Sequence, residues 1–229
     1  MNRMARLCFD YGHGGSDPGA VYKGRKESDD NFSIGLEVAK ELRRHGITVD
    51  ETRTADVAVS LRQRSEFENK GNYDYFISFH RNAFKPETAT GAETFVYTKA
   101  SAKSKELAEK IQNALVGVGF INRGVKTANF HVLRETKTPA VLVEIGFIDN
   151  TRNNNLFDSK RKEIVIGIAK AILAQLGIPY QEELADEKTD GKILYRVMAG
   201  SYAARENAEK QMQKLKVAGF DATIIIFNR

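Results

Sequence analysis

The chain has 229 residues, 41% hydrophobic and 28% charged, the composition of an ordinary globular protein with room for one sizeable domain and a smaller one. Its single cysteine, Cys8, excludes an internal disulfide and fits folding in a reducing compartment. No run of about 18 apolar residues is present to span a bilayer, and the net charge of +5 suits contact with a polyanion without selecting one.

The first apolar run, Leu7-Cys8-Phe9, reads as a strand and opens into Asp10-Tyr11-Gly12-His13-Gly14-Gly15-Ser16-Asp17-Pro18-Gly19. Glycine-rich loops after strands often cradle phosphate, yet this one lacks the Gly-Lys-Ser/Thr ending of a P-loop and the spacing of a dinucleotide fingerprint. What distinguishes it is a histidine among glycines. Phe32, Ile34, Leu36, Val38, Ala39 and Leu42 then recur at helical spacing, and Arg43-Arg44-His45-Gly46 closes that helix with His45 as its cap. Strands are expected over 47–49, 75–79, 93–97 and 140–145, and helices over 101–115 and 163–176, the last ended by Gly177 with Pro179 beyond. The alternation predicts an α/β domain over residues 1–178, a mostly parallel central sheet flanked by helices. Residues 179–191, with five acids against one lysine, read as a linker. The tail, 192–229, predicts a small β-α-β unit with strands over 195–197 and 222–227 around a helix over 205–218.

Chemistry concentrates on few residues. Of four histidines, His13 follows one predicted strand and His80 ends another, where open α/β sheets assemble sites from distant segments. A catalytic zinc ion needs about three protein ligands and one open position. Glu27, near the start of the first helix, is the candidate third ligand, and the glycines around His13 permit the tight turn that aims its ring. Glu144 ends the apolar run Ala140-Val141-Leu142-Val143, where partial desolvation would raise its pKa toward that of a general base. On pattern alone, innocent roles stay open for all four: a satisfied histidine, a surface acid, a salt-bridged strand end.

Together with Thr52-Arg53-Thr54, Leu61-Arg62-Gln63-Arg64, Ser78-Phe79-His80-Arg81-Asn82-Ala83 and Pro139 to Phe147, the loop resembles the zinc-dependent N-acetylmuramoyl-L-alanine amidases over about residues 5–178. The likeness is to mother-cell autolysins of sporulating bacilli and endolysins of their phages. By that resemblance His13, Glu27 and His80 are the zinc ligands, one Zn2+ is the cofactor, and Glu144 is the catalytic acid/base. Asn82 or Arg81 is expected to hold substrate near the metal. The segment from Arg123 to Thr136 is similar to one these amidases carry before the catalytic strand, which suggests Asn129 and His131 for a groove that reads muramyl peptide. Tyr11 stands where the family commonly has proline, and Arg81 where it commonly has a small residue.

The tail resembles a SPOR domain at about half length, a module that binds peptidoglycan, with Tyr195, Val197 and Tyr202 as candidate contacts. A lone β-α-β unit exposes a sheet edge, so pairing into a homodimer through it, docking on the amidase domain or mobility is expected. The resemblance implies peptidoglycan as partner, with neither nucleic acid nor membrane insertion. No export signal is readable, so the expectation is synthesis in the cytoplasm and action on the wall after holin-mediated release or mother-cell lysis. Two rival functions share some features: a zinc carboxypeptidase-like peptidase acting on stem peptides, and a non-catalytic wall-binding protein. The first should show a carboxylate-capturing arginine and pocket, and the second should have lost a ligand or the acid.

Overall fold

The structure, a computed structural model, describes residues 5–182, 199–220 and 222–225. The chain divides into two units, Met1–Gln181 and Glu182–Arg229.

In the first unit the strands are β1 (Arg6–Tyr11), β2 (Val21–Tyr22), β3 (Arg25–Lys26), β4 (Thr48–Glu51), β5 (Tyr75–Asn82), β6 (Ala92–Tyr97), β7 (Asn122–Ala128) and β8 (Ala140–Phe147). The helices are α1 (Glu27–Arg44), α2 (Leu61–Lys70), α3 (Ala102–Val118), α4 (His131–Arg134), α5 (Thr151–Ser159) and α6 (Arg161–Leu176). Six strands form one sheet in the order β4-β1-β5-β8-β6-β7, parallel except where β6 runs against β8. The mixed α/β fold with a mostly parallel sheet is the one expected. β2 and β3 form a separate two-stranded ribbon in the loop that leads into α1.

Side chains alternate across the sheet, and the two faces have different fates. Leu7, Phe9, Tyr11, Ile77, Phe79, Val141, Val143 and Ile145 enter the main core together with Ile34, Val38, Leu107, Ile111, Ile168 and Ile172 of α1, α3 and α6. On the other face Cys8, Phe76, Ala140 and Leu142 pack a smaller cluster against Val132 and Leu133 of α4. That cover is short. Toward the carboxyl ends of β5 and β8 the same face carries polar residues, His80 and Glu144 among them, and the start of the antiparallel β6 sets Glu93 beside Glu144.

Helix boundaries follow local chemistry. α1 has Glu27, Asp29 and Asp30 in its first turn and Arg43 and Arg44 in its last, with His45 as C-cap, an arrangement that complements the helix dipole. The His45 ring is fixed from both sides, donating from Nδ1 to Glu41 O (2.9 Å) and accepting at Nε2 from Gln181 N–H (3.0 Å). α6 stops where Gly177 adopts φ 71°, a left-handed cap that glycine takes without a Cβ penalty. Helices α2 and α5 and strand β7 lie where polar sequence gave no periodic signal; α2 is marked by a capping box between Ser60 and Gln63.

In the second unit α7 (Arg205–Val217) matches the expected helix and buries none of its residues. The expected strand 195–197, and with it Tyr195 and Val197, lies outside the described residues, as does most of the expected linker. Residues 222–225 are the described part of the second expected strand.

Candidate metal centre

The glycine loop after β1, the start of α1 and the end of β5 bring His13, Glu27 and His80 together, with one ligand atom from each lying within 4.8 Å of the others. Glu27 is at the centre and 5% exposed. Its Oε2 stands 3.3 Å from His13 Nε2 and its Oε1 2.9 Å from His80 Nδ1. The carboxylate is locked by backbone and side-chain donors: Ala20 N–H to Oε2 (3.0 Å), and Arg81 N–H and Asn31 Nδ2 to Oε1 (both 3.2 Å). The two imidazole rings meet edge to face, centroids 5.2 Å apart.

Two glycines leave room for this packing. A Cβ on Gly12 would fall 2.2 Å from His80 Cε1, and one on Gly19 would fall 2.6 Å from both Glu27 Oε2 and His13 Cδ2. Behind His13, Asp17 Oδ2 accepts from Nδ1 at 2.9 Å, which sets the tautomer and leaves Nε2 facing the cluster. This carboxylate escaped the sequence reading, although its position four residues beyond His13 in the same loop was visible.

Without a metal, protons take the place of a cation. Burial alone would lower the pKa of His13, but Glu27 and then Asp17 outweigh it and push it up to about 9. His80 is raised against burial chiefly by Glu27. Glu27, despite burial, is held far below the usual carboxylate range by the two histidines. Two imidazoles and a carboxylate in mutual contact form a donor set suited to zinc, whose tetrahedral ligand atoms sit roughly 3.3 Å apart.

Glu144 stands directly across the β5–β8 pairing from His80. Its Oε2 is buried with no hydrogen-bond partner among the described residues. Burial pushes its carboxyl up to about 7; His80 opposes the rise, and the Glu27 and Glu93 charges add to it. On the far side of Glu144, its β6 partner Glu93 accepts from Asn82 Nδ2 (2.6 Å), from Arg123 Nε (2.8 Å) and from Lys126.

The other expected site residues divide. Asn82 lies at the edge of this row, its amide nitrogen on Glu93 and its Oδ1 accepting from Ala83 N–H (2.8 Å). Arg81, expected beside the metal, does not share the face of His80 and Asn82. Its side chain is fully buried on the opposite face, where Nη1 donates to Asp30 Oδ2 (2.5 Å), Nη2 to Asn154 Oδ1 (2.7 Å), and the guanidinium covers the Phe157 ring at 4.2 Å. Strand alternation is the reason: His80 and Asn82 share one face, and the residue between them must take the other. His131 opens α4 and its Nε2 meets Ser65 Oγ at 3.1 Å, a contact that joins α4 to α2. Asn129 is exposed, and its Oδ1 accepts from Arg134 Nη1 (3.0 Å). Tyr202, in the second unit, is 45% exposed.

Comparison with known proteins agrees with this geometry. The sequence model for N-acetylmuramoyl-L-alanine amidase matches residues 7–174, and that for the SPOR domain matches residues 168–226, a longer stretch than the expected tail and one that begins inside α6. A sporulation-specific N-acetylmuramoyl-L-alanine amidase of Bacillus subtilis (strain 168) is 32% identical over 226 residues, covering 97% of this chain and 85% of that protein. An endolysin of Bacillus phage SPP1 is 36% identical over 189 residues, covering 76% of this chain and 68% of its own length. Among solved structures, the N-acetylmuramoyl-L-alanine amidase from Clostridium difficile 630 superposes with a TM-score of 0.74 at 35% identity over 77% of this chain and 98% of that one. The expected pairing of two copies through the tail finds no support in these matches.

Proposed function

The chain belongs to the N-acetylmuramoyl-L-alanine amidases, and from that premise we propose that it cuts the amide between the muramic acid lactyl group and L-alanine, using zinc held by His13, Glu27 and His80 and Glu144 as proton carrier. The carrying observation is the sheet register that sets Glu144 beside His80, on the face where Glu27 and His13 complete a three-ligand set.

Bound there, zinc would supply a Lewis acid for the scissile carbonyl and a lowered pKa for water. The protein supplies the rest. Asp17 and the glycine loop orient His13, and the donors around Glu27 keep that carboxylate from swinging away. Glu144, with a free oxygen and a pKa near neutrality, takes a proton from the attacking water and returns it to the departing amine of L-alanine. Asn82, held by Glu93, is the polar group best placed to orient the substrate's amide, and the segment at Asn129 and His131 is assigned to the groove wall.

The second unit is assigned to wall binding on the strength of its SPOR match, with exposed Tyr202 as a contact. Among the described residues no helix is long and apolar enough to cross a membrane. A chain made in the cytoplasm and released by a holin or by mother-cell lysis fits the phage endolysin and sporulation-specific amidase among its relatives.

Digestion of purified peptidoglycan tests the reaction. New amino groups assigned to L-alanine by mass, lost on chelation and restored by zinc, are expected. New reducing sugar would instead mark a glycosidase, and cuts within the stem peptide a peptidase.

A further inference from the structure

We infer that Arg53 and Arg64 are positioning residues for the metal centre: their buried guanidiniums fix the backbone carbonyls of the glycine loop and thereby hold the His13 ring in ligating position. The inference rests on the zinc reading above.

The loop needs such support. His13, Gly14 and Gly15 follow one another with φ of 61°, 130° and 59°. Glycine adopts these values readily, but histidine in the left-handed region is disfavoured and persists only where surrounding contacts over-determine it. The carbonyls of Tyr11, Gly12 and His13 also turn inward, where they require donors.

Both arginines are 3% exposed. Arg64, from α2, donates through Nη1 to Tyr11 O (2.8 Å) and Asp10 Oδ1 (2.6 Å) and through Nη2 to His13 O (2.9 Å). Arg53, from the loop after β4, donates through Nε to Tyr11 O (2.9 Å) and through Nη2 to Gly12 O (3.4 Å) and Ser28 O (2.8 Å). Among the described residues every hydrogen-bond acceptor of Arg53 is a carbonyl oxygen. Burying a cation on neutral partners costs free energy that an apolar side chain of similar volume would avoid. What the apolar side chain cannot supply is a planar array of fixed donors aimed at several carbonyls at once.

The network also reaches the other two ligands. Ser28 follows Glu27, so Arg53 ties the His13 loop to the start of α1. Asp10, which compensates Arg64, accepts at Oδ2 from Ser78 Oγ (2.7 Å), two residues before His80 on the same face of β5. Backbone segments carrying all three ligands are thus referred to one pair of guanidiniums.

Arg53→Lys and Arg64→Lys, made in the full chain, keep the charge and remove the fork. The zinc dissociation constant is read by competition with a chelator of known affinity, at a temperature where circular dichroism shows the metal-free variant folded. The cobalt-loaded form adds a visible spectrum that reports ligand geometry. Zinc binding weaker by about 10- to 100-fold with altered cobalt bands is expected, the size usual for groups that orient metal ligands. Affinity within twofold of wild type and an unchanged spectrum, with only the melting temperature lowered, would reduce both residues to scaffold and overturn the inference. If Arg64→Lys does not fold, Arg53→Lys decides, because its removal orphans no carboxylate. A wild-type chain that binds no zinc removes the zinc reading and this inference together; tight wild-type binding with unimpaired variants removes the inference alone.

Discussion

Glu144 and His80 are registered partners on the neighbouring parallel strands β8 and β5, so an acid with one buried oxygen unpartnered among the described residues stands beside a histidine of the proposed metal centre. β6 sets Glu93 on the other side of Glu144, and Arg123 and Lys126 neutralise Glu93 but not Glu144. The row is arranged at the expense of stability, which makes it testable.

In the metal-free protein Glu144 titrates at about 7 against an ordinary value of 4.5, chiefly through burial. The unfolded chain therefore loses this proton first as pH rises. The group's contribution is fully present below about pH 4.5 and lost as pH climbs through 7. Glu144→Gln should match wild type in chelator at pH 4 and exceed it at pH 8 by up to about 3 kcal/mol in urea melts. The same variant should retain zinc by elemental analysis and lose activity by about 10²- to 10⁴-fold. Unchanged activity would remove Glu144 from the mechanism.

Zinc uptake at pH 7 should displace protons. His13 is pushed up to about 9 against burial by Glu27 and Asp17, and only a neutral imidazole coordinates. Affinity is expected to rise with pH between about 5 and 9. Calorimetry in buffers of different ionisation enthalpy should read the release of about one proton or more, and zero release would show that the ring is already neutral.

Gly12→Ala should weaken the site sterically. The added methyl would lie 2.2 Å from His80 Cε1, so the ring must leave its place. Zinc affinity is expected to fall by at least about tenfold, as for a displaced ligand, and a wild-type dissociation constant would show that the strand can yield.

Asp10 carries acid stability. Burial would raise its carboxyl, but the Arg64 guanidinium and the hydroxyls of Thr52 and Ser78 hold it below the ordinary 3.8. That contribution is present above about pH 4 and is lost as pH falls through the lower folded value. Asp10→Asn leaves Arg64 buried without its acid, so a loss of about 3–5 kcal/mol at pH 7 is expected. The deficit should narrow in the most acidic melts, and a constant deficit would assign it to packing.

Arg81→Ala should cost stability and spare substrate affinity. The guanidinium is sealed against Asp30, Asn154 and Phe157, so a loss of about 3 kcal/mol or more is expected. KM of the folded variant should stay near wild type, and a large rise in KM with unchanged stability would return Arg81 to the substrate groove.

The sequence by itself determined the layered α/β plan and pointed to His13, Glu27, His80 and Glu144 as candidates, because apolar alternation and strand-end histidines are local patterns. Strand parity in Phe79-His80-Arg81-Asn82 also contained the fate of Arg81, a signal outweighed by its place beside an expected ligand. Helix α2 and strand β7 were not legible, since α2 buries Arg64, Ser65 and Glu68 rather than apolar residues and β7 is a largely polar strand at the sheet edge. Only the tertiary structure decided that Arg53 and Arg64 converge on the His13 loop from segments about 40 to 50 residues away, that Asp17 backs His13, and that Glu93 and Glu144 share a row with His80. The physical reason is that a buried polar group is stable only when distant partners satisfy it, and the identity of those partners is a property of strand order and register rather than of local sequence.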